Sequence, residues 1–216
     1  MNVVVLISGG GTNLQALIDG QLDGSLNIDI KSVISNKADA FGLERASRAN
    51  IQTDVLDHKA FDSRESFDQS LIKIIDQYQP ELVVLAGFMR ILTPEFTRHY
   101  LGRMINIHPS LLPKYQGLHT HKRAIEAGDK EHGCSVHFVT EELDGGPTAL
   151  QAVVPIQEGD TPEMLAQRVL TQEHIIFPRT VQLFSEGRLR MENNDCLLDG
   201  EVLPTEGLQI RSFDQE

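Results

Sequence analysis

The run Val3-Val4-Val5-Leu6-Ile7 is apolar at every position and breaks at once into Ser8-Gly9-Gly10-Gly11. A strand with one wet face alternates apolar and polar residues, whereas a strand without alternation is buried on both faces. Such a strand belongs in a sheet covered by helices. The next stretch supplies one: residues 12–19 carry Leu14, Leu17 and Ile18 at helical spacing. Strand, glycine corner and helix in that order restrict the chain to an α/β architecture with a mainly parallel sheet and right-handed crossovers.

The alternation continues. Residues 28–35 read as a strand, 41–49 as a helix and 53–56 as a short strand. Residues 62–78 form an amphipathic helix with Phe67, Leu71, Ile74 and Ile75 on one stripe, and Pro80 precedes another apolar strand at 82–86. Pro94 opens a helix running to about Leu101, because its missing N–H costs nothing there. A strand at 104–107 leads into a loop with Pro109, Pro113 and Gly117, then a helix to about Ala127. The strands expected at 135–140 and 149–156 are joined by a connection too short for a crossover helix, so they pair antiparallel. A long helix starts at Thr161, and Pro178 is the one point within it where an interruption could fall. Asp199-Gly200 marks a hairpin in the tail. With no internal repeat or linker, the simplest organisation is one domain over 1–187 and a tail over 188–216.

Composition removes several classes. The chain has 216 residues, enough for a substantial core, and a formal net charge of −12 with no basic cluster. A general nucleic-acid binder needs a basic face. No basic leader precedes a long apolar stretch, and no apolar run approaches the roughly 20 residues of a membrane span. Two cysteines, Cys134 and Cys196, read as reduced structural thiols. A cytoplasmic protein acting on small molecules is the expectation, without nucleic-acid or membrane partners.

Three places carry chemistry. Glycines at a strand–helix corner let backbone N–H groups approach an anion at a helix N-terminus. A dinucleotide site would need a third spaced glycine where Leu14 stands and an acid where Ser35 and Asn36 stand; a Walker loop would need a lysine. Neither pattern is met, which leaves a mononucleotide or sugar phosphate. Second, Asn106-Ile107-His108-Pro109 closes a strand at the ligand edge of the sheet. Alternation puts Asn106 and His108 on one side, where both can donate to a single carbonyl oxygen, as acyl transfer requires. Third, Glu142 and Asp144 are loop carboxylates before two glycines, and such a carboxylate can orient a histidine. His119 and His121 without a clear third ligand make weak evidence for a metal, and none is expected. A Gly-x-Ser-x-Gly nucleophile elbow is absent.

Ile107-His108-Pro109-Ser110-Leu111-Leu112-Pro113, with Asn106 ahead of it and Asp144-Gly145-Gly146 beyond, resembles the signature of the folate-dependent formyltransferases. Ser8 to Gln15, Ser35-Asn36-Lys37-Ala38, Leu85 to Leu92 and Gln172-Glu173-His174 extend the resemblance from Met1 to about Gly187. They narrow it to the members acting on a phosphoribosyl amine.

The resemblance implies a Rossmann-like three-layer α/β fold, with a phosphate-binding N-terminal half and a folate-binding C-terminal half. It implies transfer of a formyl group from 10-formyltetrahydrofolate to the amine of 5-phosphoribosylglycinamide (GAR) in purine synthesis, by a monomer or homodimer. Asn106, His108 and Asp144 would be the catalytic trio, with Asp144 keeping His108 oriented and charged and no metal required. Gly11, Thr12, Asn13 and Glu173 would hold GAR. Arg64, Met89, Arg90, Ile91, Leu92, Asn106, Thr140, Glu141 and Leu143 would line the folate site. Two formyl-folate relatives are alternatives. A deformylase carries an extra N-terminal domain, and a methionyl-tRNA formyltransferase carries an extra C-terminal one. Neither is expected here, since the chain opens on its first strand and is short and acidic. A non-enzymatic nucleotide-binding module would need only the glycine loop.

Overall fold

A computed structural model describes residues 1–211, which divide into two compact units, 1–106 and 107 onward. In the first unit β1 (Asn2–Ile7) leads through the glycine loop to α1 (Thr12–Asp23). Next come β2 (Asp29–Ser35), α2 (Phe41–Arg48), β3 (Thr53–Val55), a 3₁₀ turn at His58–Ala60, α3 (Arg64–Asp76), β4 (Leu82–Leu85) and α4 (Pro94–His99). β5 (Met104–His108) runs across the unit boundary. Its first three residues pair with Val83, Val84 and Leu85 of β4. The order in this unit is β5-β4-β1-β2-β3, and every pair is parallel.

The apolar run of β1 is the centre of that sheet, and Val3 to Ile7 are all fully buried. Leu14 and Leu17 of α1 and Phe67, Leu71 and Ile75 of α3 bury the predicted stripes. α3 starts two residues later than the periodicity suggests, because Ser63 caps it: its hydroxyl accepts from the backbone N–H of Ser66.

The second unit holds α5 (Thr120–Glu126), β6 (Glu131–Phe138), β7 (Thr148–Pro155), α6 (Pro162–Ser185), β8 (Leu189–Glu192), β9 (Asp195–Leu198), β10 (Glu201–Val202) and β11 (Leu208–Arg211). β6 and β7 pair antiparallel, as the short connection requires. The long helix does not break: α6 continues through Pro178. A proline inside a helix costs about 3 kcal/mol. Ile176, Phe177, Thr180 and Val181, all fully buried around it, offset that cost.

The tail is more ordered than its sequence suggests. Asp199 and Gly200 take left-handed backbone angles in the expected hairpin between β9 and β10. A second turn at Asn193-Asn194, also left-handed, joins β8 to β9. β11 then pairs parallel to β7, Leu208 opposite Leu150 and Arg211 opposite Val153. Residues 212–216, the end of the expected tail, lie outside the described residues.

Candidate active site

The candidate residues fall into both units. Gly11, Thr12, Asn13, Arg64, Met89 to Leu92 and Asn106 lie in the first; His108, Thr140, Glu141, Leu143, Asp144 and Glu173 lie in the second.

In the first unit, Gly11 takes φ 72° and is the N-cap of α1, so the first turn of the helix presents its N–H groups with no capping side chain from that residue. A Cβ built on Gly9 or Gly10 meets nothing within 4 Å; one built on Gly11 lies 2.7 Å from the Cα of Gly42 in α2. The outer glycines therefore face open space, and the third is glycine because α2 packs against it. α2 holds the loop further: Gly42 N–H donates to the Gly9 carbonyl (3.0 Å) and Arg45 Nε to the Gly10 carbonyl (2.7 Å). Arg64 is exposed at the start of α3. Beyond β4, Met89 and Ile91 are 63% and 57% exposed, while Arg90 stacks over the Phe67 ring at 5.2 Å.

In the second unit, His108 ends β5 and is 6% exposed. Its Nε2 is 2.9 Å from the Tyr115 carbonyl, so that nitrogen carries a hydrogen and donates. Its Nδ1 is 3.6 Å from Oδ2 of Asp144, an ion-pair distance too long for a direct hydrogen bond. Orientation of the ring thus comes from a backbone carbonyl that the sequence did not reveal, and Nδ1 keeps room for another partner. Tyr115 is fixed in turn: its hydroxyl donates to Asp129 (2.7 Å) and Arg123 stacks on its ring at 5.1 Å.

Asp144 also sits in left-handed backbone, φ 51°, and its Oδ2 accepts from the Gly117 N–H at 2.9 Å. The second glycine after it is obligatory, since a Cβ on Gly146 would lie 1.9 Å from the Phe138 carbonyl oxygen. Oδ1 faces Nε2 of His137 at 3.8 Å. Burial lowers the His137 pKa to about 4, against the pull of the Asp144 carboxylate. His137 is therefore neutral at pH 7. His121 and His132 face each other, Nδ1 to Nε2, at 3.1 Å. Burial, then the neighbouring His121, lowers His132 to about 4. Among the described residues no group of three or more His, Cys, Asp or Glu is arranged to hold a metal ion.

Thr140 is half-buried, and Glu141 and Leu143 are exposed on the loop that carries Asp144. Glu173 is 8% exposed on α6, near enough to Cys134 to add to the burial that raises that thiol's pKa. Tail residues Cys196 and Thr205 line a cavity of about 280 Å³ with Asp144, Glu142 and Gln116. No described helix is long and apolar enough to cross a membrane.

Residues 1–181 match the family model described as formyl transferase. The chain is 59% identical over 207 residues to phosphoribosylglycinamide formyltransferase of Escherichia coli K12, covering 96% of this chain and 98% of that one. The Haemophilus influenzae enzyme of the same name is 50% identical over 205 residues, 95% of this chain and 97% of that one. The solved structure of the Coxiella burnetii enzyme in complex with CHES superposes with a TM-score of 0.93 at 54% identity, covering 97% of this chain and 99% of that one. A match over most of the length, in sequence and in fold, makes the chain a member of the formyl transferase family.

Proposed function

We propose that the protein transfers the formyl group of 10-formyltetrahydrofolate to the amine of GAR, giving formyl-GAR and tetrahydrofolate for purine synthesis in the cytoplasm. Near-full-length relatives named phosphoribosylglycinamide formyltransferase support the transfer of formyl to GAR. The observation that carries the chemistry is His108, with Nε2 engaged by Tyr115 and Nδ1 beside the Asp144 carboxylate.

The GAR amine attacks the formyl carbon. The new C–N bond forms as the carbonyl π pair moves onto the formyl oxygen. His108 Nδ1–H and the Asn106 amide, two residues earlier on the same strand, donate to that oxyanion. Asp144 balances the charge of the imidazolium. Collapse reforms the carbonyl and breaks the bond to the folate nitrogen, which receives the proton lost by the amine. Backbone N–H groups of Gly11, Thr12 and Asn13 hold the GAR phosphate at the start of α1, and Glu173 holds its ribose. Arg64, Met89, Arg90, Ile91, Leu92, Asn106, Thr140, Glu141 and Leu143 form the folate site, with Met89, Ile91, Leu92 and Leu143 supplying its apolar surface. No metal takes part in these steps.

Incubation of the purified protein with the formyl donor, with and without GAR, tests the reading. Tetrahydrofolate released only when GAR is present is the expected result. Release without GAR would make the protein a hydrolase of the donor, and no release in either case would leave a binding module.

A further inference from the structure

Ser35-Asn36-Lys37 carried part of the family resemblance, yet no step of the reaction uses it. Asn36 stands just past β2, where a dinucleotide-binding sheet places the acid that reads a ribose. Here its side chain turns inward and is 3% exposed. Its Oδ1 accepts from the Ser8 hydroxyl at 2.6 Å, and its Nδ2 lies 3.2 Å from Nδ1 of His58. Ser8, 5% exposed, is the last residue before the three glycines.

A hydroxyl has one hydrogen and two lone pairs. With the hydrogen given to Asn36, the Ser8 oxygen presents a lone pair elsewhere, and the Met89 N–H donates to it at 2.8 Å. The backbone ladder between β1 and β4 ends just before this point. Ala86 N–H donates to the Leu6 carbonyl and Ser8 N–H to the Gly87 carbonyl, and then Gly87, at φ 76°, takes the chain out of register. The Ser8 side chain captures the Met89 N–H beyond that turn. One hydroxyl thus ties the root of the glycine loop to the segment whose exposed Met89 and Ile91 face outward.

We propose that Ser8 and Asn36 are positioning residues that couple the two substrate sites. A phosphate settling on the glycine loop stiffens the 87–92 segment through Ser8, and so prepares it for the second ligand. The proposal rests on the phosphate role assigned to the loop above. Thermodynamic linkage makes such coupling reciprocal, and one net hydrogen bond is worth up to about tenfold in an equilibrium.

Amide hydrogen exchange of the full chain, with and without ribose 5-phosphate at matched ionic strength, separates the possibilities. In the wild type, exchange should slow in 9–13 and, about tenfold at its best-protected amide, in 87–92. In Ser8→Ala the slowing in 9–13 should persist while that in 87–92 disappears. Asn36→Asp, which still offers Ser8 an acceptor, should retain the coupling; Asn36→Leu should lose it. If ribose 5-phosphate protects 9–13 of the wild type but leaves 87–92 unchanged, the coupling is wrong and the phosphate site stands. That arm needs no variant. Equal slowing of 87–92 in Ser8→Ala has the same meaning. Absence of protection at 9–13 in the wild type would remove the phosphate site itself, and this proposal with it.

Discussion

The glycine loop and the surroundings of His108 are built on opposite plans. The loop is one contiguous stretch with almost no side chain in it: Gly9 and Gly10 face open space and Gly11 packs on Gly42. Around His108 the parts come from separate turns. Tyr115 contributes a carbonyl, Gly117 an N–H and Asp144 a carboxylate, while His137 stays neutral beside it. A contiguous backbone site tolerates side-chain change wherever the Cβ has room. An assembled site depends on each of its supports.

The largest test of that contrast is His108→Ala. Turnover should fall about 10²–10⁴-fold, the range for losing an oxyanion donor or a general acid–base, with both Michaelis constants nearly unchanged. Steady-state kinetics on the folded variant decides it; a change confined to the Michaelis constants would make His108 a binding group.

Acid should strike the second region next. His132 and His137 hold pKa values lowered from 6.5 to about 4 by burial. The unfolded chain takes up these protons as pH falls through 6.5, and the folded chain does so only near 4. Folded stability is therefore whole above about 6.5 and drains as pH drops toward 4, by about 3 kcal/mol for each ring. Urea midpoints measured from pH 7.5 to 4.5 should fall steadily, and replacing His132 by an apolar residue should flatten the curve. A midpoint independent of pH would show that these rings are protonated as easily folded as unfolded.

Asp144→Asn comes third. It keeps an acceptor for Gly117 but removes the charge beside Nδ1, and turnover should fall about 10²-fold. Combined with His108→Ala it should add little, since groups that act as a unit are not additive. Losses that multiply would detach Asp144 from the histidine.

The smallest effects sharpen the loop side. Gly11→Ala combines a left-handed angle with a Cβ 2.7 Å from Gly42 Cα. It should cost about 2 kcal/mol of stability and raise the Michaelis constant for GAR. Gly10→Ala meets nothing within 4 Å and should leave stability within about 0.5 kcal/mol. A raised constant for GAR in Gly10→Ala at unchanged stability would place ligand on the outer face of the loop. Thermal melts alongside kinetics give both readings.

The same contrast explains what the sequence disclosed. Alternating strands and helices, the glycine corner and the strand end at His108 are local patterns, and each is legible from a few consecutive residues. Tyr115 acts through a carbonyl, which every residue has, so its identity announces nothing; the sequence marks only a loop there, through Pro109, Pro113 and Gly117. His137 looked like any strand residue, and its neutrality depends on burial by distant parts of the chain. The unbroken course of α6 through Pro178 was hidden for a similar reason, because the packing that holds it is tertiary.

The parallel seat of β11 on β7 has a consequence for the integrity of the chain. β7 runs Thr-Ala-Leu-Gln-Ala-Val-Val-Pro, without a charged residue and mostly apolar. β6 occupies one of its edges and β11 the other. A chain shortened before Leu208 would lay bare a row of unsatisfied amides and carbonyls along an apolar strand, the kind of surface that recruits a neighbouring molecule. β11 thus guards that edge against self-association, a duty that rests first on its backbone, with Gln209 donating to Gln151 on β7 and Arg211 pairing with Glu131 on β6.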